Sequence, residues 1–148
     1  SAICIVKRRR GKRGGRGVSE LDDMERLAET VVDVGLGLHR ELGPGLFESV
    51  YEAVLEHRLN KAGISVERQK PIAIAVDGLS FPDAFRADLL LEDKLLIELK
   101  SSPQNTPLYI RQTLTYIRLI NKPFGLILNF GCEKFRDGLY RVKNHHVR

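Results

Sequence analysis

Cysteine is scarce in this 148-residue chain, and the two present, Cys4 and Cys132, stand in no metal-ligand spacing. That excludes a disulfide framework and a cysteine metal site, and it fits a protein of the reducing cytoplasm. Long hydrophobic runs are missing too. No stretch of 18 apolar residues occurs, so no membrane span is expected, and the apolar stretch around Ala2 to Val6 is too short for the core of a signal peptide. Internal repeats are absent. Acid is absent from residues 1–17, which hold Lys7, Arg8, Arg9, Arg10, Lys12, Arg13 and Arg16 and no Asp or Glu. These seven cations exceed the net charge of +5 for the whole chain, which leaves −2 for residues 18–148. Residues 1–18 therefore read as a disordered basic tail, either an upstream extension or a segment that touches phosphates. Residues 19–148 read as one domain, long enough to bury roughly 68–70% of its unfolded surface.

What is present begins with a helical stripe. Leu21, Met24, Leu27, Ala28, Val31, Val34 and Leu38 recur on one face behind Ser19, a good N-cap, and Gly43-Pro44-Gly45 breaks the pattern. A second helix is predicted from about Leu46 to Ala62, stopped by Gly63, with an apolar stripe of Phe47, Val50, Val54, Leu55 and Leu59. In its first turn Glu48 is accounted for by the helix dipole alone, and Tyr51 lies three residues on. Ile64 to Gln69 and Pro71 to Val76 read as two short strands, and Asp77-Gly78 as a tight hairpin turn. Thr106-Pro107 opens another helix that buries Ile110, Leu114 and Ile117, while Gln112 and Tyr116 share a different face with Tyr109. Phe124 to Phe130 is apolar on both faces, as an interior strand must be, and Leu139 to Val142 reads as an edge strand.

The chemistry concentrates between Arg86 and Ser101. Leu89-Leu90-Leu91 and Leu95-Leu96-Ile97 flank Glu92-Asp93-Lys94, the pattern of two buried strands joined by a charged tip. A turn centred on Asp93 sets Asp88 opposite Glu98, with Lys100 projecting from the same face. Facing carboxylates repel, on the order of 4 kcal/mol at about 4 Å and an effective dielectric of about 20. Either the Lys100 ammonium or a divalent cation must offset that. Two hard oxygen ligands beside a lysine are what magnesium-dependent phosphodiester cleavage requires. The bland reading stays open, since a Glu-x-Lys triplet arises by chance about once per 150 residues. Glu92-Asp93-Lys94 is itself a second one, read here as a solvated tip.

Several stretches together resemble a known family. Gly45-Leu-Phe-Glu48-Ser-Val-Tyr51, preceded by His39-Arg40-Glu41-Leu42-Gly43-Pro44, is similar to the signature of the GxxExxY proteins of the PD-(D/E)xK nuclease superfamily. Arg86-Ala87-Asp88, Ile97-Glu98-Leu99-Lys100, Gln112-Thr-Leu-Thr-Tyr116 and Leu128-Asn129-Phe130-Gly131 follow in the family's order, so the likeness runs from about Leu21 to Lys143. The resemblance implies an α/β fold with a restriction-endonuclease-like αβββαβ core, a mixed sheet flanked by helices, and an additional N-terminal helix. It implies that Asp88, Glu98 and Glu48 hold magnesium, with manganese as an alternative, and that Lys100 positions the attacking water. Gln112, Tyr116 and Tyr51 would position the substrate, expected to be nucleic acid and DNA before RNA, and a homodimer stays open. Ala87 replaces the proline of the superfamily's name, and the loop Ser101 to Asn105 is more polar than the family leads one to expect.

The rival reading is a binding module that keeps the fold without turnover, gripping nucleic acid or protein through a patch of Arg68, Lys70, Arg86, Arg111 and Arg118. A purely structural ion cluster is the third option. Convergence of Asp88, Glu98, Lys100 and Glu48 on one cleft discriminates among them. Under the catalytic reading both Asp88→Asn and Glu98→Gln relieve repulsion and stabilise the apo protein.

Overall fold

A computed structural model describes residues 19–145, so the tail expected at 1–18 lies outside the described residues. In chain order the elements are α1 (Glu20–Leu42), α2 (Glu48–Lys61), β1 (Val66–Val76), β2 (Leu79–Leu91), β3 (Leu95–Lys100), α3 (Pro107–Leu119), β4 (Phe124–Asn129), α4 (Phe135–Gly138) and β5 (Leu139–Lys143). The strands form one sheet in the order β1-β2-β3-β4-β5. Among the described strands only β3 and β4 run parallel. A parallel pair needs a long crossover, and α3 supplies it. The result is the expected α/β architecture: a mixed sheet flanked by helices, consistent with a restriction-endonuclease-like core, with α1 as the additional N-terminal helix.

Side-chain alternation assigns the two faces. Leu89, Leu91, Leu95, Ile97, Leu99, Leu126 and Leu128 pack with Met24, Ala28, Val31 and Leu38 of α1 and Leu55 and Leu59 of α2. Leu90, Leu96 and Ile127 face Ile117 of α3. Ser19 caps α1 as expected, its hydroxyl accepting the Asp22 N–H at 3.2 Å, and the Thr106 hydroxyl caps α3 by accepting from Tyr109. Asp77 and Gly78 both take positive φ, 51° and 75°, the backbone twist a two-residue hairpin turn demands.

Three expectations need correction. The two short strands are one, β1, continuous through Gln69, which adopts φ 52° and is skipped by the ladder between Arg68↔Leu89 and Lys70↔Ala87, whose register is kept on both sides. On α2 the apolar stripe is misassigned at its start: Phe47 is 84% and Val50 39% exposed, while Tyr51 and Glu52 turn inward. The hairpin tip is anchored rather than merely solvated. The Glu92 carboxylate accepts the Ser65 N–H at 2.8 Å, and Lys94 Nζ reaches Asp23 of α1 at 2.8 Å. The short α4 was not foreseen.

The turn after β4 presses on the loop that follows Lys100. A Cβ on Gly131 would lie 2.3 Å from the Ser102 nitrogen and 2.4 Å from its carbonyl oxygen, both backbone atoms that cannot yield. The Asn129 side chain braces the same loop, accepting from Ser102 N–H at 3.0 Å and donating to Asn105 Oδ1 at 3.1 Å. Gly131→Ala should therefore cost about 3 kcal/mol in urea unfolding. A change below about 0.5 kcal/mol, the scale of an ordinary surface substitution, would show that this loop is not packed against β4.

Candidate active site

Asp88 and Glu98 stand where the β2–β3 ladder stops, one step beyond its last pair, Leu89↔Ile97. This is the register expected of a turn centred on Asp93. Beyond it, side chains replace backbone partners. Asp88 Oδ2 accepts the Leu99 N–H at 2.8 Å, and the Asp88 N–H donates to Glu98 Oε1 at 3.4 Å. Each acid thus bonds the other strand's backbone, which holds both at one point of the sheet.

Asp88 is also gripped from β1. Gln69 Nε2 donates to Asp88 Oδ1 at 3.1 Å and to both Glu52 oxygens at 3.1 and 3.0 Å. Glu52 is buried, and Arg68 Nε donates to its Oε1 at 2.7 Å. The left-handed φ of Gln69 is uncommon for a non-glycine residue, and such conformations gather at functional sites. Neither Gln69 nor Glu52 was singled out from the sequence. The signals were there: Glu52 is one helical turn past Glu48, and Gln69 follows an arginine on a strand next to the Asp88 strand. Under the catalytic reading Gln69, which bonds Asp88, is a positioning residue. Gln69→Gly removes the grip while relieving the backbone strain. It should leave the melting temperature within a few degrees yet lower magnesium affinity and cleavage 10- to 100-fold, roughly the effect of losing an outer-shell partner. Calorimetry with magnesium measures this directly; unchanged affinity would reduce Gln69 to a structural bond.

Glu48 lies on the exposed first turn of α2 and borders a cleft of about 600 Å³ with Glu52, Arg68, Gln69 and Asp88. The structure thus brings Asp88 and Glu98 together, while Glu48 borders a cleft that Asp88 lines and that Glu98 and Lys100 do not. Among the described residues no three His, Cys, Asp or Glu side chains are gathered closely enough to hold a metal ion.

On the α3 side, Lys100 Nζ donates to Gln112 Oε1 at 3.4 Å and lies 4.7 Å from the centre of the Tyr109 ring. Gln112 is hydrogen-bonded to the Tyr116 hydroxyl, and Tyr116 stacks on Phe85 with centroids 4.0 Å apart. Burial, and then the nearby Glu98 carboxylate, raise the Tyr116 hydroxyl above its ordinary value. These residues form a second wall outside the lining of that cleft, and of the two acids Glu98 acts on Tyr116 more strongly than Asp88. Tyr51 does not join either wall. It is fully buried against Phe130, and its hydroxyl donates to Gly43 O at 2.6 Å and accepts from Leu46 N–H at 3.1 Å. It fastens the loop before α2 and does not line the cleft.

The charge on the pair is unbalanced. Burial first, and Asp88 second, push the Glu98 carboxyl up to about 9, while Lys100 is the weakest influence on it. Without a cation, Glu98 holds a proton at neutral pH. A divalent ion offers hard-oxygen donors the same relief with more charge, so this donor set fits magnesium or manganese. The expected basic patch is largely spent elsewhere. Arg68 pairs with Glu52, Lys70 with Glu67 and Asp93, and Arg86 with Asp83, leaving Arg111 and Arg118 exposed on α3.

Comparison with known proteins adds the family. A profile of the PD-(D/E)XK nuclease superfamily matches residues 25–142, which takes in both carboxylates, Lys100 and the cleft. Neither curated proteins nor solved structures gave a match to the chain. By its fold, its paired acids on adjacent strands and this match, the chain belongs to the PD-(D/E)XK nuclease superfamily.

Proposed function

We propose that this protein is a magnesium-dependent phosphodiesterase that hydrolyses nucleic acid, DNA before RNA, and that it is a GxxExxY-type member of its superfamily working in the cytoplasm. The observation that carries this is the Asp88–Glu98 pair, two acids held side by side where burial and Asp88 push the Glu98 carboxyl up and Lys100 does little to lower it. When bound, magnesium or manganese supplies charge neutralisation at the phosphate and a water acidic enough to attack it. Asp88 and Glu98 would hold the ion, and Glu48, which is not gathered with them, would add its carboxylate only by moving in from the rim. Lys100, steered by Gln112 and the Tyr109 face, orients the attacking water and offsets charge developing on phosphate oxygens. Tyr116, braced on Phe85, and Gln112 wall the scissile phosphate on the α3 side.

The test combines cleavage and melting. Labelled single- and double-stranded DNA and RNA are incubated with the protein and magnesium or manganese, and the protein is melted with and without each ion. The reading requires cleavage that chelator stops and a melting temperature that either ion raises. If neither ion raises the melting temperature and no nucleic acid is cut, it is wrong.

A further inference from the structure

We propose that Phe47 is a stacking platform for an unpaired base, so that the substrate of this site is single-stranded nucleic acid; this deepens the nuclease reading and rests on it. Phe47 is 84% exposed, the most exposed large apolar side chain among the described residues, and it lines the same cleft as Glu48 and Asp88. Nothing in the fold explains an aromatic there. It occupies the N-cap of α2 and makes no side-chain cap bond, where Ser, Thr, Asp or Asn would stabilise the helix by about 1 kcal/mol. It buries almost no surface in return.

Its mount is nevertheless rigid. Leu46 immediately before it is held on both sides, its N–H donating to the Tyr51 hydroxyl at 3.1 Å and its carbonyl accepting from Ser101 Oγ at 2.6 Å. The Phe47 carbonyl itself accepts the Val50 N–H at 3.0 Å. Ser101 directly follows Lys100, so the ring's support is tied to the loop that leaves the proposed catalytic strand. An exposed ring with a fixed backbone binds a flat partner at low entropic cost.

Charge points to the same partner. Duplex binding draws its affinity from many free Lys and Arg at phosphates. Here Arg68, Lys70 and Arg86 are committed to Glu52, Glu67, Asp93 and Asp83, and residues 18–148 carry a net −2. A site short of free cations gains most from base stacking, which every base offers on its π-face.

The probe is an oligothymidylate carrying one 2-aminopurine, compared with a blunt duplex of the same length, both titrated in chelator so that no turnover intervenes. Wild type should bind the single strand more tightly than the duplex and quench the 2-aminopurine. Phe47→Ala should weaken single-strand binding about 5- to 150-fold and abolish the quenching, the range for losing one base–aromatic stack. Phe47→Leu, which keeps apolar size without the ring, should lose nearly as much, and Phe47→Tyr should stay within about threefold. Unchanged binding by the alanine variant, or full binding by the leucine variant, overturns the proposal. So does a dimer in wild type that Phe47→Ala converts to monomer with quenching retained, because the ring then serves self-association. A magnesium arm separates the two readings. Cleavage that ignores Phe47 and strandedness refutes the stack and keeps the nuclease; stacking without magnesium-dependent cleavage refutes the nuclease and keeps the stack.

Discussion

Asp88→Asn and Glu98→Gln should both abolish magnesium-dependent cleavage, by on the order of 10³-fold or more, and yet move stability in opposite directions. On sequence grounds both substitutions relieve the same repulsion and both should stabilise. The hydrogen bonds separate them. Asp88 accepts from two N–H donors, one on each carboxylate oxygen: Leu99 N at 2.8 Å and Gln69 Nε2 at 3.1 Å. Asparagine offers one acceptor and turns an NH₂ toward the remaining donor, whichever way its amide is placed. That leaves a donor facing a donor and should cost about 1–3 kcal/mol. Glu98 already carries a proton at neutral pH, so glutamine copies its shape and replaces the O–H donor with N–H. Glu98→Gln should therefore gain stability. Lys100→Ala should cut cleavage about 10²- to 10⁴-fold, the range for a lost proton-handling group, with magnesium affinity largely retained. Thermal melts, magnesium calorimetry and single-turnover cleavage on the three variants decide the matter. A structural ion cluster would give two mutants that melt lower than wild type and no magnesium binding at all.

That contrast shows how far the sequence can be read. Alternation along two apolar runs and a centred tip suffice to set Asp88 opposite Glu98, because a one-residue slip would turn Leu89 and Ile97 out of the core. The same local logic finds the caps at Ser19 and Thr106, since capping involves neighbours three residues away. It misses Gln69 because the residue's meaning is set by strand pairing across nineteen positions and by a left-handed φ that glutamine does not advertise. It misreads Phe47 for the opposite reason. Helical periodicity treats a large apolar residue as a core residue, and the actual face is chosen by Tyr51, whose hydroxyl is captured by Gly43 and Leu46. The basic patch fails similarly: Arg68, Lys70 and Arg86 are countable as charges, but their acids are visible only once the strands are folded.

The two helix starts and the end of β3 meet for a physical reason. Ser101 Oγ bonds the Leu46 carbonyl before α2, and Ser102 Oγ receives the Tyr109 hydroxyl from the first turn of α3. The polar loop that departs from the family's expected apolar character is thus the piece that ties both walls to Lys100. Its polarity is structural.

The pH dependence of stability should carry the mark of Glu98. Its carboxyl rises from an ordinary 4.5 to about 9 in the folded protein, so between these values the folded state holds a proton that the unfolded state has released. Stability from this group is then fully present below about pH 4.5 and falls as pH rises through the window, levelling off above about pH 9. At about 1.4 kcal/mol per pH unit the loss by pH 7 is roughly 3 kcal/mol. Glu98→Gln has no proton to lose, so the difference between the two melting curves isolates this group from the other acids. The variant's advantage should be small at pH 4.5 and grow to pH 9. Magnesium should reverse the trend in wild type alone: the cation takes the proton's place, so its affinity and the melting temperature it confers rise with pH over the same window. A constant difference between variant and wild type from pH 5 to pH 9 would mean that Glu98 is ionised throughout, and that Asp88 and Glu98 are not in the frustrated contact on which the proposed metal site depends.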